Sequence, residues 1–358
     1  IELGLVGSEM CIRDRSDMYG IIKAIDGDLK IQNINTKIVE NTKNEYLYTA
    51  WDVSNVEDIS NMFQYTKLFD GDISKWNISN VSNMIDLFGG ARIFNRDINT
   101  ENITINNNTY TAWDVSRIEN MHGIFAMTKK FNGNIDMWNT SNVTDMSAMF
   151  IYAEAFNKDI NTRVLPNGKI AWDVSKVTNM SRMFAHTEVF NGNISYWDTS
   201  NVENMKDMFQ FAKKFNGDIN TKPIEDDNGN TLYRAWNVSR VTDMMRMFMG
   251  AKSFNKDIND WDTSNVRNMR AMFFSAPSFN QNLDFKQVRD KNNNFLYTAW
   301  NVGNVTEMSL MFKNAESFNG NISNWNTSNV KNMEDMFQFA EKFNGDINTK
   351  PIEDDNGN

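Results

Sequence analysis

Few side chains in this sequence are equipped for covalent chemistry. Of 358 residues only two are His and one is Cys. A general base needs a partner within hydrogen-bond reach, and His122 and His186 fall in different units of the repeat described below, two units apart. No Gly-rich phosphate loop follows an apolar run, and no His stands beside the recurring Ser that a Ser-His-Asp set would require. The chain is therefore expected to be no enzyme and to need no cofactor. Oxygen ligands are more plentiful. Asp97, Asn134, Asp159, Asn193 and Asp218 recur at one position, and a row of hard oxygens suits calcium. Part of that row is uncharged Asn, however, and the Gly-Gly-x-Gly-x-Asp pattern of calcium-binding repeats is missing. A structural Asn/Asp ladder is the better expectation, with no metal site.

What positions these rows is a repeat. The ten Trp stand at Trp51, Trp76, Trp113, Trp138, Trp172, Trp197, Trp236, Trp261, Trp300 and Trp325, so that a 25-residue unit recurs and every second unit carries extra residues. With each Trp as position 0, Phe occupies position 12 (Phe63, Phe88, Phe125, Phe150 and onward) and position 18 (Phe69, Phe94, Phe131, Phe156 and onward) in every unit. Positions 8 and 11 hold most of the 23 Met, whose flexible thioethers fill gaps between imperfectly registered rings. One unit could not bury its aromatic face alone, so neighbouring units must stack, at about 4.8 Å per strand if the ladder is a parallel sheet.

Within each unit, Ile, Trp and Val or Thr at positions −3, 0 and 2 read as a short parallel strand. From position 5 the apolar steps of three and four (Val143, Met146, Met149, Phe150, Ala153) read as one face of a helix. Ser54 with Glu57, Ser116 with Glu119 and Ser200 with Glu203 have capping-box spacing at its start. Phe-Asn-Gly-Asp and its variants close the unit with a turn. The extra segments, 36–50, 100–112, 163–171, 221–235 and 285–299, read as β-hairpins; two of them carry Asn-Gly between apolar flanks.

Four zones follow. Residues 1–15 fit no unit, and 4–15 (GLVGSEMCIRDR) resemble a translated sequencing-adapter read-through; the lone Cys11 lies there, so redox compartment is not legible. Residues 16–50 suit a degraded first repeat or cap plus a hairpin. Residues 51–350 hold ten units, and 351–358 begin a further hairpin that copies 223–230, an expectation of a truncated C-terminus. A formal charge of −10 argues against a nucleic-acid partner. No apolar run reaches the ~18 residues of a membrane span.

The pattern W-[DN]-[TV]-S-N-V-x-[ND]-M-x-x-M-F-x-x-A-x-x-F-N-x-[DN]-I, seen for example from Trp138 to Ile160, resembles the BspA-type leucine-rich repeats of microbial surface proteins. That resemblance implies an α/β fold, a leucine-rich-repeat-like right-handed solenoid of about ten strand-helix coils with a hairpin insertion at every second coil. It implies a non-enzymatic cell-surface or extracellular module that recognises a protein on a host, matrix or neighbouring cell. A monomer is expected. It supplies no catalytic residues.

Binding residues are sought where the units differ. Position −1 is Ala in hairpin-bearing units but Lys75, Met137, Tyr196, Asp260 and Asn324 in the others, which a strand would point outward onto a concave face. Position 14 is equally irregular and includes Tyr152, Phe211 and Phe339, possible interface anchors. Packing against neighbours or hairpin bases is the competing reading for both sets. The hairpin tips near Asn107, Asn167, Asp227 and Asn293 form a third set. Alternatives are a structural spacer and a calcium-dependent or carbohydrate-binding adhesin.

Overall fold

A computed structural model describes residues 37–40, 46–105, 108–165 and 168–347. Residues 1–36, 41–45, 106–107, 166–167 and 348–358 lie outside the described residues. Among the described residues ten strands are present, and they pair only two by two, antiparallel: β1 (Lys37–Glu40) with β2 (Tyr46–Ala50), β3 (Glu101–Ile105) with β4 (Asn108–Ala112), β5 (Arg163–Val164) with β6 (Ile170–Ala171), β7 (Lys222–Glu225) with β8 (Thr231–Ala235), and β9 (Lys286–Arg289) with β10 (Phe295–Ala299). These pairs are the extra segments. Each ends on the Ala that precedes a Trp.

The repeats themselves contain no helix among the described residues, and no strand at the Trp. The strand-helix solenoid implied by the leucine-rich-repeat resemblance is thereby overturned, and with it the capping boxes. The backbone shows why. Positions 10 and 14 have positive φ in every unit, whatever their residue type: Ala148 lies at 53° and Tyr152 at 57°, Arg182 at 58° and His186 at 60°, Gly123 at 63° and Gly90 at 74°. Two left-handed residues per unit cannot belong to a right-handed helix.

In its place runs a chain of tight turns. In the unit of Trp138, N–H groups donate to the carbonyl three residues back from Trp138 to Ile135, Val143 to Thr140, Met149 to Met146, Ala153 to Phe150 and Phe156 to Ala153, at 2.9–3.3 Å. The even-numbered positions from 8 to 14 point their N–H along the stack instead: Met146 to Asn179 O, Ala148 to Ser181 O, Phe150 to Met183 O and Tyr152 to Ala185 O, at 2.8–3.0 Å. Turn bonds and inter-repeat bonds thus alternate, so nearly every amide in this segment finds a partner. Only single parallel bridges result, such as Asp145 with Asn179 and Asn179 with Asn204, because the left-handed residues interrupt any extended run.

The apolar columns sit at the corners of these turns. Position-12 Phe rings stack from unit to unit at centroid separations of 5.5–5.7 Å, and position-18 rings at 5.7–6.0 Å. Within a unit the two rings lie 4.0 Å apart, as in Phe150 with Phe156. Indoles stack likewise, Trp138 on Trp172 at 6.4 Å, and each indole N–H from Trp113 to Trp300 donates to an Ile carbonyl of the preceding unit, as Trp172 Nε1 does to Ile135 O at 2.9 Å. The columns form one hydrophobic core, with interior rings fully buried.

Candidate binding row

Repeated polar positions are consumed by the scaffold. The Asp or Asn at position 1 accepts the N–H two residues on, as Asp173 Oδ1 does from Ser175 at 3.0 Å and Asn139 Oδ1 from Ser141 at 3.1 Å. The position-4 Asn reaches the preceding unit, Asn142 Nδ2 to Ser116 O at 2.8 Å. At position 19 the side-chain carbonyl of each unit accepts the backbone N–H of the next, giving an unbroken ladder from Asp70 through Asn95, Asn132, Asn157, Asn191, Asn216, Asn255, Asn280 and Asn319 to Asn344. The supposed calcium row at position 21 does the same in places: Asp97 Oδ1 accepts from Asn134 N and Asp159 Oδ1 from Asn193 N, both at 2.7 Å. Asp218 binds Lys222 Nζ at 2.6 Å. Among the described residues no three His, Cys, Asp or Glu side chains converge as a metal site.

Three of the five position −1 residues sit beneath the hairpins. Tyr110 Oη donates to Lys75 O at 2.6 Å, Tyr233 Oη to Tyr196 O at 2.7 Å and Tyr297 Oη to Asp260 O at 2.7 Å. Burial, with the nearby Asp198 and Asp173 charges adding to it, pushes the Tyr233 phenol up to about 12. Asp260 is further held by Lys286 Nζ at 2.8 Å and Asn220 Nδ2 at 3.1 Å. Asn324 is bound by Asp284, and Met137 packs half-buried on the core. Lys75 and Tyr196 stay exposed, although Lys222 Nζ lies 5.3 Å from the Tyr196 ring centre, a cation–π contact. This set is mainly hairpin footing.

Hairpin tips divide. Asn107 and Asn167 lie outside the described residues. Beside Asp227 and Asn293 the two tips share one design: Asp226 accepts the N–H groups of Asn228 and Asn230, and Asp290 those of Asn292 and Asn294. Gly229 takes the left-handed corner at φ 77° and Asn293 the equivalent one at 66°, so the second hairpin folds without Asn-Gly. Hydrogen bonds to Asn230 first of all hold the Asp226 carboxyl below its usual range. Lys291 reaches across to Glu225 at 3.7 Å, linking adjacent hairpins.

Position 14 is different. Tyr65, Met127, Tyr152 and Phe339 are 42–67% exposed, each on left-handed backbone. Tyr152 stacks on His186 at 4.2 Å, and His186 on the half-buried Phe211 at 4.8 Å. Burial is the largest influence on His186 and lowers its pKa. Glycine interrupts the row twice. A Cβ on Gly90 would fall 2.6 Å from Tyr65 Cδ1, and one on Gly250 2.3 Å from Phe211 Cδ1, so the aromatic ring of each preceding unit lies over its glycine. A groove of about 400 Å³ opens at the first interruption, lined by Tyr65, Gly90, Met127 and Tyr152 with Lys67, Arg92, Lys129 and Glu154 on its rim.

Sequence reasoning missed two pairings. His122 Nδ1 and Ser147 Oγ share a hydrogen bond of 2.7 Å, because both occupy position 9 of adjacent units. Among the described residues no carboxylate bonds that imidazole, and Arg270 Nη1 bridges to Ser309 Oγ at the same positions further along, so the contact belongs to a structural series. Asp207, 1% exposed, is clamped by Arg246 Nε at 2.7 Å and Arg182 Nε at 3.4 Å from the two flanking units. The common repeat position of Arg182, Asp207 and Arg246 was the available signal.

Turn-built units stacked through aromatic columns, with a side row of unlike residues, define a repeat protein whose identity resides in its scaffold. The chain belongs to the family described as "Mycoplasma protein of unknown function, DUF285", whose model matches residues 16–109, 99–222, 225–298 and 285–354. No curated protein and no solved structure matches it. Among the described residues no helix is long and apolar enough to cross a membrane.

Proposed function

We propose that this chain is a non-enzymatic binding module, displayed on the cell surface or secreted, that holds a protein partner along its position-14 row and its hairpins. The resemblance to BspA-type surface repeats supports the location. The observation that carries the binding reading is the exposure of Tyr65, Met127 and Tyr152 beside scaffold columns that are buried. Large exposed apolar side chains on left-handed backbone contribute little to folding and carry a conformational cost, which a binding role would account for. Several spaced contacts along one molecule add by avidity. The concave face anticipated from a strand-helix solenoid has no part in this reading.

The test replaces Tyr65, Met127, Tyr152 and Phe339 together by Asn, the residue already present at this position as Asn314 and one that tolerates left-handed backbone. Beads coated with the parent chain should adhere to cultured animal cells, and the variant should lose most of that adherence at unchanged melting temperature. Undiminished adherence by the variant would leave the chain a spacer.

A further inference from the structure

We infer that the groove at Gly90 receives an acidic segment of a partner protein, anchored by one large apolar side chain. The inference rests on the binding-module reading and specifies its partner chemistry. Position 16 presents Lys67, Arg92 and Lys129 in three successive units, a basic strip on a chain of net charge −10. Only the last of these has its carboxylate: Lys129 Nζ lies 2.7 Å from Glu154 Oε1 of the next unit. Lys67 and Arg92 are exposed and make no ion pair among the described residues. The Lys129–Glu154 pair shows within the chain which group this row accepts, and two of its three cations are left to an outside carboxylate.

The floor between them is apolar. Tyr65 lies over Gly90, Met127 and Tyr152 form the far side, and Leu68 and Ile93 stand 70% and 40% exposed beside the cations. The groove is large enough to admit a large side chain. Gly90 sits at φ 74°, and a Cβ there would strike the Tyr65 ring. Unit spacing sets the geometry of the ligand's charges. Phe63 and Phe88, in the same two units as Lys67 and Arg92, have centroids 5.5 Å apart, close to the separation of side chains three or four apart on a helix.

The experiment uses the full chain and a fluorescein-labelled peptide with four acidic residues around a central Phe, read by fluorescence anisotropy. Saturable binding is expected that weakens with added salt, falls by about tenfold or more in the double variant Lys67→Glu, Arg92→Glu, and falls again when the peptide Phe is replaced by Ala. Both substituted residues are exposed, so the melting temperature should hold. Equal binding by parent and double variant overturns the proposal, as does binding through these residues of heparin fragments or phosphatidylglycerol vesicles in place of the peptide. Bead adherence separates the two claims. Adherence intact in the double variant, with no peptide binding by the parent, removes this proposal and leaves the module reading; peptide binding without any bead adherence supports the groove and removes the adhesive role.

Discussion

Each unit places at least two residues in left-handed backbone, and at non-glycine positions this costs roughly 1–2 kcal/mol apiece. Ala148 (φ 53°) is half-exposed and shares its column with Gly123, so Ala148→Gly should raise stability by about 0.5–1 kcal/mol in urea unfolding, the relief of strain exceeding the added freedom of the unfolded chain. A loss would mean that the left-handed conformation is not the native one. The position-19 ladder requires only an acceptor oxygen, which Asp70 supplies as well as Asn does. Asn157→Asp should therefore be nearly neutral, whereas Asn157→Leu should cost about 0.5–1 kcal/mol by exchanging the bond from the Asn191 N–H for one to water. His186 titrates in a predictable direction. Burial, aided by Lys213 and opposed by Glu188 and Asp207, lowers its folded pKa. The unfolded chain then takes up the proton first, near the ordinary imidazole pKa of about 6.5, and stability falls as pH drops through and below that value. His186→Phe should remove that part of the pH slope while keeping the ring stack; an unchanged slope would refute the burial.

At the level of elements, the spacing of apolar residues was legible and the conformation behind it was not. Turns closed by bonds from residue i+3 to residue i bring Val143, Met146, Met149, Ala153 and Phe156 to one side in steps of three and four, the same steps a helix would give. The distinguishing signal lay at positions 10 and 14, where Asn61, Asp86, Gly123, Asp207, Gly90 and Gly250 include the residues that adopt left-handed backbone most readily. Ala148, Arg182 and Tyr152 at the same positions concealed it. The hairpins announced themselves through turn chemistry, yet their docking by Tyr110, Tyr233 and Tyr297 required knowing which unit lies beneath. Likewise the candidate site was half visible: irregular columns identified positions −1 and 14, and only packing separated hairpin footing from an open row. Tyr233→Phe should cost about 1 kcal/mol by releasing its bond to Tyr196 O, and hydrogen exchange should then quicken across β7 and β8 alone.

For the molecule as a whole, stability comes from contacts between adjacent units, so position in the stack matters. Phe150 is fully buried between Phe125 and Phe184, and Phe150→Ala should cost about 3–5 kcal/mol. Phe337, half-buried in the last unit, should cost distinctly less. Equal losses at both would mean that the rings do not form a continuous column. The alternation of turn bonds with inter-repeat bonds is what makes the columns possible, and it is open to direct observation. Through-hydrogen-bond NMR coupling, recorded on the deuterated chain, should connect Phe150 N to the carbonyl carbon of Met183 and Phe184 N to that of Met208. Coupling from Phe150 N to Met146, four residues back in its own unit, would restore the helix and contradict this architecture.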